Sequence, residues 1–89
     1  MPVLISTSSL YVPYTVIGAI MAVGTSPEGF ISGPDASLAF EEVKQSLSVQ
    51  AMALGGNAVI NCDFEVRDYT GGLNVIAFGT VVYYDDTPQ

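Results

Sequence analysis

The chain has 89 residues, 49% hydrophobic and 12% charged, with nine acidic side chains against two basic ones and a net charge of −7. That length sets one domain, residues 1–89, whose core is marginal unless something adds to it. The apolar content excludes a disordered segment, the acidity excludes nucleic acid and anionic membrane surfaces as partners, and one cysteine with no histidine excludes a disulfide or a zinc site within one chain.

Val3, Leu4 and Ile5, with Ser6 and Thr7, predict a first strand that ends before Pro13. Residues 15–25 predict a second. Ile17, Ala19, Met21 and Val23 alternate with Val16, Gly18, Ile20 and Ala22, so both faces are apolar and both should be covered. A short buried helix competes here, but Val, Ile and two glycines favour the strand. Residues 1–27 carry no charged side chain. Ser6, Thr7, Ser8 and Ser9, then Pro13 and Gly18, break the apolar run, so no spanning helix of about 20 apolar residues is expected. No Lys or Arg precedes the apolar part, which argues against a signal peptide and for a reducing, cytoplasmic setting.

Residues 26–34 form a loop rich in Gly, Pro and Ser. A helix should start near Asp35, either through Ser32 and Asp35 at capping-box spacing or with Gly33 as cap and Pro34 as first helical residue. Residues 36–54 form the one clear helix, with Phe40, Val43, Leu47, Ala51 and Leu54 as its apolar stripe. Glu41 and Lys44 are placed to pair, and Met52 is expected as packing filler. Gly55 and Gly56 sit where a helix end needs positive φ. The third strand follows over residues 57–67, with Ala58, Ile60, Cys62, Phe64 and Val66 on one face and Asn61, Asp63, Glu65 and Arg67 on the other. Residues 68–72 turn the chain through a double glycine into a fourth strand, residues 73–84, before a polar tail. The fold class is α+β: an antiparallel sheet of about four strands with one long helix packed on it, in the order β-β-α-β-β.

Three features could carry chemistry. Cys62 is the one soft ligand or nucleophile, but it lies in an apolar phase with no histidine to activate it, so it is expected as a buried packing residue. Asp63 and Glu65 share a face and could place two carboxylates together, though a solvated strand face is the ordinary reading. Gly55-Gly56 follows a helix rather than preceding one, so the helix dipole there repels an anion. No catalytic, cofactor-binding or metal-ligating residues are assigned, no cofactor is expected, and the protein is read as non-enzymatic.

Leu54-Gly55-Gly56-Asn57-Ala58-Val59-Ile60, after an Ala-rich helix end, and Ala77-Phe78-Gly79-Thr80-Val81-Val82 about twenty residues on resemble the YbjQ-like family, described as putative heavy-metal-binding domains. The opening VLISTS and residues 16–24 are similar to that family's first two strands. The short loop at residues 26–34 departs from its longer Arg- and Gly-rich insert. The resemblance implies a dodecin-like subunit architecture and a homopentameric ring, and no established activity. The alternative is a module that binds a metal ion or small molecule at subunit interfaces, where repeated Asp63 and Glu65 would suit a hard cation.

Patterning alone points to self-association. If the hairpin loop is even and centred on Thr70 and Gly71, Val66 faces Val75, Phe64 faces Ala77 and Cys62 faces Gly79. Ile76, Phe78 and Val82 then lie on the face opposite the helix, with Asn61, Asp63 and Glu65; an odd loop would exchange the fourth strand's faces. One helix covers one face, and the uncovered apolar face calls for a second chain.

Overall fold

The computed structural model describes residues 3–27, 36–69 and 72–85. Strand β1 spans Leu4–Ile5, β2 Tyr14–Pro27, helix α1 Ala36–Leu54, β3 Ala58–Tyr69 and β4 Gly72–Tyr84. They form one four-stranded sheet in the order β1-β3-β4-β2, with the helix on one face. The alternatives for the helix start, at Ser32 and Asp35 or Gly33 and Pro34, and most of the 26–34 loop lie outside the described residues.

β4 is antiparallel to both β2 and β3, whereas β1 runs parallel to β3, pairing Leu4 with Ala58 and Ile5 with Val59. The sheet is therefore mixed, and antiparallel only in its three long strands. Parallel pairing needs a crossover, and β2 with the helix lies between β1 and β3 in sequence. Beyond β1 the chain keeps hold of β3: Cys62 N–H donates to the Ser6 carbonyl at 3.0 Å and Asn61 N–H to that of Ser8 at 3.2 Å.

Tyr69 pairs with Gly72, so the loop is even, with Thr70 and Gly71 themselves outside the described residues. Val66 faces Val75 and Phe64 faces Ala77, as the even-loop alternative predicts. Between Ile60 and Asp63 the register shifts, and Asn61 takes φ 53°. This is a β-bulge with asparagine in the left-handed region that it tolerates better than most residues. The extra residue overturns the simple alternation expected for the third strand. Val59, Cys62 and Phe64 face the helix, while Ala58 and Ile60 pass to the other face.

Under the helix, Ala39, Val43, Leu47 and Ala51 pack on Ala22, Val59, Cys62, Val75, Ala77 and Val81. Burial of a side chain such as Val43 or Leu47 stabilises by about 1.5–3 kcal/mol. Leu54, expected on the buried stripe, is instead 51% exposed, and Met52, expected as filler, is 52% exposed. The corner behaves as anticipated at Gly55, with φ 89°. Gly56 is held instead by crowding, since a Cβ there would meet Val81 Cγ1 and the Val82 carbonyl. Asn57 locks the corner to the end of β4: its Nδ2 donates to the Tyr84 carbonyl at 2.7 Å, and its Oδ1 accepts from Tyr84 N–H at 3.0 Å.

Candidate functional site

On the face opposite the helix, carboxylates and exposed apolar groups meet. Register places its rows. Val23, Ile76 and Glu65 lie side by side across β2, β4 and β3, and so do Met21, Phe78 and Asp63. Met21, Val23 and Phe78 are 52%, 46% and 51% exposed, so the apolar part faces water in the single chain. The surface is graded, apolar along β2 and β4 and acidic along β3. Arg67 Nη2 pairs with Glu65 Oε1 at 3.0 Å, an exposed contact that offsets one carboxylate and adds little stability.

One end of this face is closed. Leu10, Tyr14 and Tyr84 pack over Ala58, Ile60 and Val82, which are buried. Val82 was expected on the open surface. The segment between β1 and β2 covers it instead, with Ser9 Oγ and Tyr14 OH 3.2 Å apart. That cover is long-range packing with no local signature.

Cys62 sits under the helix, buried, with its thiol 3.7 Å from the Val59 carbonyl. Burial pushes its pKa up, with a Ser6 backbone contact acting the other way. A raised pKa disfavours the thiolate that a soft metal or an electrophile needs. The other described soft donors, Met21 and Met52, are exposed thioethers on the sheet and the helix. Among the described residues no three His, Cys, Asp or Glu side chains gather at metal-binding distance. The donor set of one chain thus does not fit a soft heavy metal.

A shallow groove of about 780 Å³ runs between β1 and the helix, lined by Val3 and Ile5 on one side and Glu41, Lys44, Gln45 and Ser48 on the other. The shared side of those helix residues is legible from their spacing; the placement of β1 against them is not. Lys44 Nζ pairs with Glu41 Oε1 at 2.8 Å, as the spacing predicts.

Among curated proteins none matches the chain. A crystal structure of a protein of unknown function from Pediococcus pentosaceus ATCC 25745, of the DUF74 family, is similar over 93% of this chain and 98% of its own, with 22% identity and a TM-score of 0.78. That likeness carries the fold. The profile of the YbjQ_1 family, described as putative heavy-metal-binding, matches residues 36–85, and DUF74 is the same family. With the helix, the glycine corner and both hairpin strands inside that match, the chain belongs to the YbjQ-like family.

Proposed function

We propose that this protein is a non-enzymatic, cytoplasmic building block of a homo-oligomer. The observation that carries the reading is the open sheet face, where Val16, Met21, Val23 and Phe78 are exposed together. Their uncovered surface, on the order of 370 Å² from those exposures, falls within the roughly 300–600 Å² of the largest apolar patch on a typical monomer, a patch that is often an interaction site. The pentameric number and the dodecin-like relation draw their support from the family resemblance alone. The cytoplasmic setting is supported by the lone buried thiol. No helix among the described residues is long and apolar enough to cross a membrane.

A second reading, an interfacial site for a metal ion or small molecule, is favoured by the position of Asp63 and Glu65. They lie on the same open face as the apolar surface to be covered, so association would bring carboxylates of several copies close. Oxygen ligands of this kind suit calcium or magnesium. Light scattering coupled to size exclusion tests the first reading, with an oligomer expected at micromolar concentration and Phe78→Asp expected to split it. A well-folded monomer would refute it. Elemental analysis of the purified oligomer separates the two readings: a stoichiometric divalent ion lost on Asp63→Asn and Glu65→Gln supports the second.

A further inference from the structure

Among the described residues the sheet has two edges, on opposite sides, that no further strand meets. There β2 pairs with β4 alone, over about 46 Å at the usual rise of a strand. Gln50 Nε2 reaches over it and donates to the Met21 carbonyl at 3.0 Å, which places that carbonyl on the side away from β4. Backbone groups of an antiparallel strand alternate in direction, so Ala19, Val23 and Thr25 present theirs outward as well. On the other side, Cys62 N–H points outward to Ser6, and by the same alternation Phe64 and Val66 do so too. Beyond Cys62 no described strand meets that edge.

Exposed edges in soluble proteins are normally blunted by charge or proline, because they template pairing with another chain. β2 carries no charged residue, its proline is its last residue, and its bulge, between Val16 and Gly18, lies ahead of the stretch from Ala19 to Thr25. β3 carries Asp63, Glu65 and Arg67. Two copies meeting β3 to β3 would set Asp63 and Glu65 beside their own duplicates, and like charges placed across strands repel. Two copies meeting β2 to β2 would leave both β3 edges open. Only β2 against β3 uses both edges and sets the acidic strand beside an uncharged one.

We propose that β2 of one copy docks by main-chain hydrogen bonds along the outer edge of β3, from Asp63 onward, in a second copy of the chain. This rests on the oligomer reading above and names its contact. β2 and β3 are each antiparallel to β4, so they run the same way. A continued sheet with every helix on one face therefore pairs them in parallel. The contact is head to tail and propagates until it closes. Curled with the helices outward, the sheet turns Met21, Val23 and Phe78 inward, out of water.

Cross-linking in a Cys62→Ala background tests this. Met21→Cys on β2 and Glu65→Cys on β3 are made singly, co-expressed, and combined in one chain, then treated with a short bis-maleimide. The docking predicts cross-linked dimers from the co-expressed pair, a ladder of higher species from the double variant, and no cross-link from either single variant. Val23→Pro, which removes an outward N–H while sparing the β2–β4 ladder, should reduce the assembly size with the far-UV circular dichroism unchanged. Cross-linking of Met21→Cys alone would show two-fold β2 pairing and overturn the proposal. An oligomer that cross-links in no combination would overturn it while sparing the oligomer reading. A folded monomer by light scattering would overturn both, and leave the edge to a strand from a different protein.

Discussion

Gly18 and Gly24 lie on the same strand, and the same substitution at each should have opposite effects. A Cβ at Gly24 would collide with the Ala39 carbonyl oxygen and stand 2.9 Å from Val43 Cγ2 and 3.0 Å from the Ala39 carbonyl carbon. Two of those three atoms belong to the helix backbone and cannot rotate away. The helix must lift from the sheet, loosening Val43 and Leu47 in the core. Overpacking of this kind costs about 1–3 kcal/mol, and the rigidity of the obstacle puts Gly24→Ala near the top of that range. At Gly18 nothing lies within 4 Å of the new methyl, and its φ is not positive. Gly18→Ala should be neutral or stabilise by about 0.5–1 kcal/mol through the loss of unfolded-state freedom. The two variants should therefore differ by about 3–4 kcal/mol, or roughly 12–30 °C in Tm for a domain of this size. Denaturant unfolding followed by circular dichroism, at one fixed protein concentration because association shifts the midpoint, measures the difference. Equal midpoints for the two variants would refute the reasoning.

Gly55→Val should destabilise by about 1–2 kcal/mol through strain at φ 89°, read as a lower melting temperature. Asn57→Ala should cost about 1–3 kcal/mol, because it strips the partners from the Tyr84 backbone groups; an unchanged urea midpoint would show that water replaces them. Cys62 should react slowly with a thiol reagent in the folded protein and rapidly after denaturation, and fast native labelling would overturn its placement. Its pKa is raised in the fold above the ordinary 9.0, so the unfolded chain loses the thiol proton first as pH rises. The stability it contributes is complete below pH 9.0 and declines above it. Cys62→Ala should flatten that alkaline decline, measured as the unfolding midpoint across pH 8 to 11.

The sequence by itself determined the elements and their order. Helix periodicity marks Ala36–Leu54. The glycine pair ends it, because only glycine adopts positive φ there at no steric cost; the hairpin was legible too, but its loop parity was not, and the pairing of Tyr69 with Gly72 settles Val66 opposite Val75. These are local consequences of side-chain spacing and backbone sterics. An uncovered apolar face was legible as well, since one helix cannot cover two sides of a sheet. With an even loop the pattern also placed Ile76, Phe78, Asp63 and Glu65 there; the tertiary structure alone decided that Ala58 and Ile60 join that face and that Val82 is covered. The bulge at Asn61 inserts one residue, and with a side-chain period of two, one residue exchanges the faces of everything before it. Nothing in the alternation of Ile60, Cys62 and Phe64 signals that shift, because the pattern is apolar on either side of it. The parallel docking of β1, the folding of Leu10 and Tyr14 over Val82, and the contrast between Gly18 and Gly24 likewise depend on groups distant in sequence. Which glycine lies beneath a helix carbonyl follows from where the helix crosses the sheet, and that crossing is set by packing of the whole core rather than by any local stretch of chain.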